Sequence, residues 1–148
     1  MPILAATADF NGDGIPDVTV LPSRAPGGAP VKQRVLAIFP GNGDGTFRPA
    51  TSGIDDPNLF ATSVVAGDLD GDNAPDLAAA CFSIAEVPTM YRLRVLYGNG
   101  DGTMRDAVDL PLQAESTVQR IIDVNGDGLP DVVLRSGSDV IVFLNTSR

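Results

Sequence analysis

Oxygen-bearing side chains recur at fixed positions in three nine-residue stretches of this 148-residue chain. The stretches read DFNGDGIPD from residue 9, DLDGDNAPD from residue 68 and DVNGDGLPD from residue 123. Each has a carboxylate or an amide at its first, third, fifth and ninth positions, and together they hold ten of the 19 acidic residues. Carboxylates packed this densely repel one another unless a cation neutralises them. The pattern therefore predicts three metal sites.

Oxygens at alternate positions of a tight, glycine-assisted loop suit a hard cation, and the expected ion is Ca²⁺. Magnesium suits these loops less well, because it retains water and needs a near-octahedral shell. We expect side-chain oxygens from positions 1, 3, 5 and 9 and a backbone carbonyl from position 7. The predicted ligands are Asp9, Asn11, Asp13, Ile15 and Asp17; Asp68, Asp70, Asp72, Ala74 and Asp76; and Asp123, Asn125, Asp127, Leu129 and Asp131.

The middle loop differs from the other two at its sixth position, where Asn73 replaces Gly14 and Gly128. Asparagine tolerates a positive φ better than other residues with a side chain, so this loop should still close. It also has four carboxylates where each of the others has three. We therefore expect it to bind an ion as well.

Two other structures share part of the loop pattern. An EF-hand opens with the same spacing but needs a glutamate at position 12, where this chain has Val20, Ala79 and Leu134. Plain hairpin turns also use Asn-Gly and Asp-Gly without any metal. Turn chemistry does not account for the aspartate that follows proline at position 9, and for this reason we favour metal sites over turns.

A second motif alternates with the first. GNGDGTF begins at Gly41 and returns as GNGDGTM at Gly98, 57 residues later, and the nine-residue stretches recur at nearly the same interval. Repeats of this length are typical of propellers, solenoids and arrays. We interpret the second motif as a glycine-rich hairpin loop in which Asp44 and Asp101 are turn residues.

Short runs rich in Val, Ile, Leu and Phe separate the motifs and predict strands. Runs such as Leu77–Phe82 are apolar at successive positions, so both faces must be covered, as in sheets stacked around an axis. The predicted fold class is all-β, with β-propeller blades of about four antiparallel strands in three repeats, the last incomplete. We expect one repeat domain, 1–148, with units at about 1–58, 59–114 and 115–148. The predicted strands are 3–8, 18–22, 35–39, 47–50, 63–67, 77–82, 93–97, 107–110, 118–122, 132–135 and 140–144.

The alternation of the two motifs resembles the FG-GAP/VCBS repeat, which occurs in integrin alpha-chain propellers and in many secreted bacterial proteins. The resemblance covers nearly the whole chain. It implies a calcium-binding β-propeller with an ion in the loop between the first two strands of each blade, and it implies the twelve side-chain ligands given above, at positions 1, 3, 5 and 9. Such propellers serve adhesion, glycan binding and accessory roles to enzymes, so the resemblance specifies no ligand.

Composition excludes several functions. The chain has no histidine, which rules out a Ser/His/Asp or Cys/His catalytic unit, a histidine base and imidazole-bound zinc. A net charge of −9 argues against nucleic acid as a partner, and the single cysteine, Cys81, lies in an apolar run typical of a core. We expect no enzyme activity but a calcium-binding structural or interaction module, for adhesion or for a protein or glycan ligand. The alternative is an accessory propeller fragment of a secreted enzyme whose catalytic domain is absent.

Three units are fewer than the roughly four to eight blades of a propeller. We expect either a piece of a larger propeller or a homo-oligomer, and favour a dimer that closes a six-bladed ring. No apolar run approaches the roughly 18 residues of a membrane span. The first ten residues lack the basic and long apolar regions of a signal peptide, so we expect no signal peptide in this chain. We expect the parent protein to be secreted or displayed at the cell surface.

Overall fold

The computed structural model describes residues 4–21, 34–55, 59–83, 85 and 87–146. This part of the chain contains eleven strands and no helix, and hence no helix that could cross a bilayer. The strands are β1 (Leu4–Ala8), β2 (Asp17–Leu21), β3 (Arg34–Phe39), β4 (Ser52–Asp55), β5 (Leu59–Gly67), β6 (Asp76–Ser83), β7 (Met90–Gly98), β8 (Met104–Leu112), β9 (Thr117–Ile122), β10 (Asp131–Ser136) and β11 (Asp139–Phe143).

The strands form three antiparallel sheets in which each strand pairs with its neighbour in sequence. Two sheets have four strands, in the orders β1-β2-β3-β4 and β5-β6-β7-β8, and one has three described strands, in the order β9-β10-β11. None of them closes into a barrel. The all-β prediction is confirmed, and the sheets have the arrangement expected of propeller blades. Ile3 and Pro22, at the outer ends of the first two predicted strands, lie outside the described residues.

The fourth strand was predicted in the wrong place. We expected it at residues 47–50, directly after the second motif, but it runs from Ser52 to Asp55. Phe47 forms only an isolated bridge with Gly41, which closes the hairpin loop itself. Pro49 has no backbone N–H with which to extend the ladder, so regular pairing begins only after it.

Two hydrophobic clusters join the three sheets. The first lies between the first and second sheets and includes Leu36, Ile38 and Leu77, while the second lies between the second and third sheets and includes Leu93 and Leu134. Strand β6 contributes alternate side chains to the two clusters, because successive residues of a strand point to opposite faces. The prediction that both faces of this run are covered is confirmed.

Cys81 is one of the β6 residues that belong to the first cluster. Its thiol is buried, with a relative exposure of 3% for the residue. The interpretation of Cys81 as a core residue is confirmed.

The outer face of the third sheet is more exposed. Ile141 and Phe143 pack against the second cluster, whereas Val140 and Val142 alternate with them along β11 and point the other way. Val140 is 71% exposed and Leu144, which follows the strand, is 55% exposed. The apolar side chains on this side of β11 are therefore accessible to solvent.

Candidate metal centres

Each of the three acidic stretches forms the loop between the first two strands of its sheet. We name them the first, second and third acid loops: residues 9–17, 68–76 and 123–131. The last residue of each loop is the first residue of a strand, namely Asp17 in β2, Asp76 in β6 and Asp131 in β10. Asn73 has a φ of 67°, close to the values of 80° and 87° at Gly14 and Gly128. The expectation that asparagine would allow the second loop to close is confirmed.

The aspartate at position 1 accepts hydrogen bonds from backbone N–H groups inside its own loop. Asp9 accepts from Gly14 N at 2.7 Å, Asp68 from Asn73 N at 2.9 Å and Asp123 from Gly128 N at 2.9 Å. Each also accepts a second backbone N–H bond from its loop. For Asp123 these bonds favour the charged carboxylate and lower its pKa below the usual value.

The aspartate at position 9 forms hydrogen bonds with its own acid loop and with the chain at the end of the third strand of its sheet. Asp17, which is fully buried, accepts from Phe10 N at 3.0 Å and from Gly41 N at 2.9 Å. Asp76 accepts in the same way from Leu69 N and Gly98 N, and Asp131 from Val124 N and Asn145 N, at 2.6 to 2.9 Å. The recurrence of this aspartate thus has a cause that does not require an ion.

Two glycines of the second motif let it approach the acid loop closely. A Cβ atom on Gly41 would overlap the carbonyl oxygen of Pro16, and one on Gly98 would overlap that of Pro75. Since the same two glycines donate to Asp17 and Asp76, they lie where the two motifs meet. The two motifs therefore pack against each other at one end of the sheets, because the first and third connections of an antiparallel sheet emerge at the same end.

Carboxylates converge most closely in the second acid loop. Asp68, Asp70 and Asp76 each offer an oxygen, and these three oxygens lie within 4.8 Å of one another. Ca²⁺ binds oxygens at about 2.3–2.6 Å, so ligand atoms of one ion lie up to about 5 Å apart. The donor set and its spacing therefore fit calcium.

The electrostatics of the second loop favour a cation. Burial raises the pKa of Asp76 above its ordinary value, despite the backbone hydrogen bonds from Gly98 and Leu69, and the charges of Asp70 and Asp72 raise it further. A bound cation would offset both effects, because it favours the charged form of a neighbouring carboxylate.

The first and third acid loops have asparagine at position 3 and no comparably close group of three carboxylates among the described residues. In the first loop, the carboxylate of Asp13 accepts from Ile15 N at 2.9 Å, and Asn11 Oδ1 accepts from Asp13 N at 2.9 Å. In the third loop, Asn125 Nδ2 donates to Asp127 Oδ2 at 2.9 Å. The side chains at positions 3 and 5 therefore lie next to each other in both loops, with their oxygens engaged in local hydrogen bonds.

Position 7 was predicted to supply a carbonyl oxygen. In each loop the backbone N–H of that residue donates to the carboxylate at position 5, with distances of 2.8 to 2.9 Å. The residues are Ile15, Ala74 and Leu129. This bond holds the position-5 carboxylate within the turn.

Two arginines that the sequence reasoning overlooked also reach the acid loops. Arg48 donates to Asp13 Oδ2 at 3.0 Å, and Arg105 donates to Asp70 Oδ2 at 2.7 Å and to Asp72 Oδ2 at 3.1 Å. The signal was present, because an arginine follows both copies of the second motif, in GNGDGTFR and GNGDGTMR. It is informative only once the two motifs are known to be in contact.

The second motif forms the predicted hairpin loop. Asn42 N donates to Thr46 O at 3.0 Å and Asn99 N to Thr103 O at 3.1 Å. Asp44 accepts from the backbone and hydroxyl of Thr46, and these bonds lower its pKa. Asp101 is bound in the same way by Thr103. Both aspartates act as turn residues, as predicted.

The two motifs and the blade-like sheets define a repeat protein of the propeller type. Residues 9–79 match the family model described as FG-GAP-like repeat. Residues 9–79 are therefore similar to the FG-GAP repeat, and over this part of the chain the match confirms the resemblance inferred from the motifs. A search of curated proteins found no match.

Proposed function

We propose that this protein is a calcium-stabilised interaction module built from propeller blades. The observation that carries the proposal is the convergence of the oxygens of Asp68, Asp70 and Asp76 to within 4.8 Å in a loop pattern that occurs three times. Each acid loop would hold one ion, through its side chains at positions 1, 3 and 5, with further oxygens from positions 7 and 9.

Calcium would supply positive charge at the end of each sheet that carries its acid loop. The protein's own residues already join these parts of the fold, through the buried aspartates at position 9. An ion would add to this by neutralising the carboxylates at positions 1 to 5 of each nine-residue loop. The free energy of unfolding of the chain would then depend on the calcium concentration.

Adhesion, through a protein or glycan ligand, is the role we propose for the module as a whole. Function in this class of repeat resides in sites carried by the scaffold rather than in the scaffold itself. The absence of histidine from the sequence supports a non-catalytic role. Secretion or display at the cell surface, where free calcium is abundant, fits the proposal.

Thermal unfolding in calcium and in EDTA tests the proposal. A single site at about a hundredfold excess of ion over its dissociation constant stabilises the folded state by about 2.7 kcal/mol. For a domain of this size that corresponds to a rise in Tm of roughly 5–11 °C per site. Magnesium at equal concentration should produce a smaller shift, because these loops offer more oxygens than it prefers. Identical melting curves in calcium and EDTA would contradict the proposal.

A further inference from the structure

Each of the first two acid loops holds a positively charged side chain from its own blade. The donor is the arginine that directly follows the second motif, Arg48 in the first blade and Arg105 in the second. Arg48 contacts one carboxylate, that of Asp13, whereas Arg105 bridges two, those of Asp70 and Asp72. All three of these carboxylates are predicted metal ligands.

Additional contacts fix the position of each guanidinium group. Arg48 also donates to the carbonyl oxygen of Gly41 at 3.3 Å, and Arg105 donates to that of Gly98 at 3.2 Å. The guanidinium carbon of Arg105 also lies 5.4 Å from the centre of the Tyr97 ring, within the range of a cation–π contact. The arginines are thus held against the acid loops by the backbone of the second motif.

The third acid loop is different. Among the described residues no arginine or lysine forms an ion pair with it, and Asp127 Oδ2 accepts from the amide of Asn125 instead. The three loops therefore form a graded series: no guanidinium contact in the third, one carboxylate engaged in the first and two in the second.

We propose that Arg48 and Arg105 are internal counter-cations that compete with calcium for the carboxylates of the first two acid loops. This inference rests on the proposed function. An ion that binds the same oxygens must break the charge-assisted hydrogen bonds or tolerate a like charge beside it. The arginines thus offset part of the negative charge of the loops when calcium is absent and weaken calcium binding when it is present. The three sites then fill at different calcium concentrations.

The test compares Arg48→Gln, Arg105→Gln and the double variant with the wild type. Arg135→Gln is the matched control, because it removes the same charge from an exposed side chain that donates to Gly137 O in the turn after β10, at the end of the sheet away from the acid loops. Stepwise calcium dissociation constants are measured by competition with a chromophoric chelator, and Tm is measured in EDTA.

If the arginines compete with calcium, replacing them should tighten calcium binding and lower the Tm in EDTA. Releasing one partly exposed ion pair should tighten calcium binding about two- to fivefold, so Arg48→Gln should show this change at one site. Arg105→Gln frees two carboxylates and should show up to about a tenfold change. Both variants should melt at a lower temperature than wild type in EDTA, since their loops lose a counter-charge. The Arg135→Gln control should bind calcium like wild type.

If the arginines only support the structure of the loops, replacing them should leave calcium binding unchanged or weaken it. If the wild type binds calcium but both Gln variants bind it equally well or more weakly, competition is overturned while the proposed function stands. If neither wild type nor variants bind calcium, the proposed function fails and this inference fails with it. Arg105→Lys keeps the charge but loses the fork geometry, so it should fall between wild type and Arg105→Gln and provides a folded variant if the latter does not fold.

Discussion

Replacing Asp17 by asparagine perturbs the junction between the first acid loop and the second motif. The carboxylate of Asp17 is fully buried and accepts from Phe10 N at 3.0 Å through one oxygen and from Gly41 N at 2.9 Å through the other. An amide of the same shape keeps one acceptor and places an N–H₂ group opposite the second donor. One hydrogen bond is lost and one buried N–H group faces another.

The expected loss follows from the number of bonds removed. A hydrogen bond to a charged group contributes about 1.5–3 kcal/mol to stability, so Asp17→Asn should lower the free energy of unfolding by about that amount. Asp17→Ala removes both acceptors and should cost about 3–6 kcal/mol. Because Phe10 N and Gly41 N donate to Asp17 without any ion, this loss should already be present in EDTA.

Urea denaturation in EDTA measures this effect, with Asp13→Asn as the matched control. Asp13 lies in the same loop and undergoes the same chemical change, but it is exposed and its partners are the local turn and Arg48. We expect a clear loss of stability for Asp17→Asn and a much smaller one for Asp13→Asn. Equal stability of the two variants in EDTA would refute the structural role assigned to the position-9 aspartates.

Two further predictions concern the sites and the assembly of the protein. Asp127→Ala should remove one bound calcium ion and its share of the stabilisation, whereas Asp44→Ala, in a hairpin turn, should leave the calcium stoichiometry unchanged; equal losses would show that the two loop types are wrongly assigned. The exposed face that includes Val140 and Leu144 should favour association, so light scattering at micromolar protein in calcium should give a dimer, and Val140→Lys should shift it towards monomer. A strictly monomeric wild type would contradict the dimer, and a trimer would overturn the six-blade arrangement.

Most of the fold was predictable because its strands are bounded by strong turn signals. Apolar runs between the two motifs placed ten of the eleven described strands. The exception was β4, where the chain continues past the hairpin loop through Pro49 before pairing begins. In the second blade the residues after the motif contain no proline until Pro111, and β8 begins at Met104. A local interruption of the ladder therefore explains the difference.

The candidate site was only partly predictable. Repetition identified the acid loops and the conformation of Asn73, since both depend on residues close in sequence. The partners of the position-9 aspartates were not predictable, because Gly41, Gly98 and Asn145 lie 14 to 24 residues further along the chain. The contacts of the two arginines depend on the same packing. These partners are identified only when the structure shows which residues of the two motifs are in contact.

Equilibrium dialysis against calcium, followed by elemental analysis, tests the central claim most directly. The three acid loops predict three calcium ions per chain at saturation, with the first to bind in the loop that has no arginine contact among the described residues. Asp127→Ala should reduce the stoichiometry to two. A chain that retains no calcium above the level of the dialysis buffer would contradict the assignment of the acid loops as metal sites.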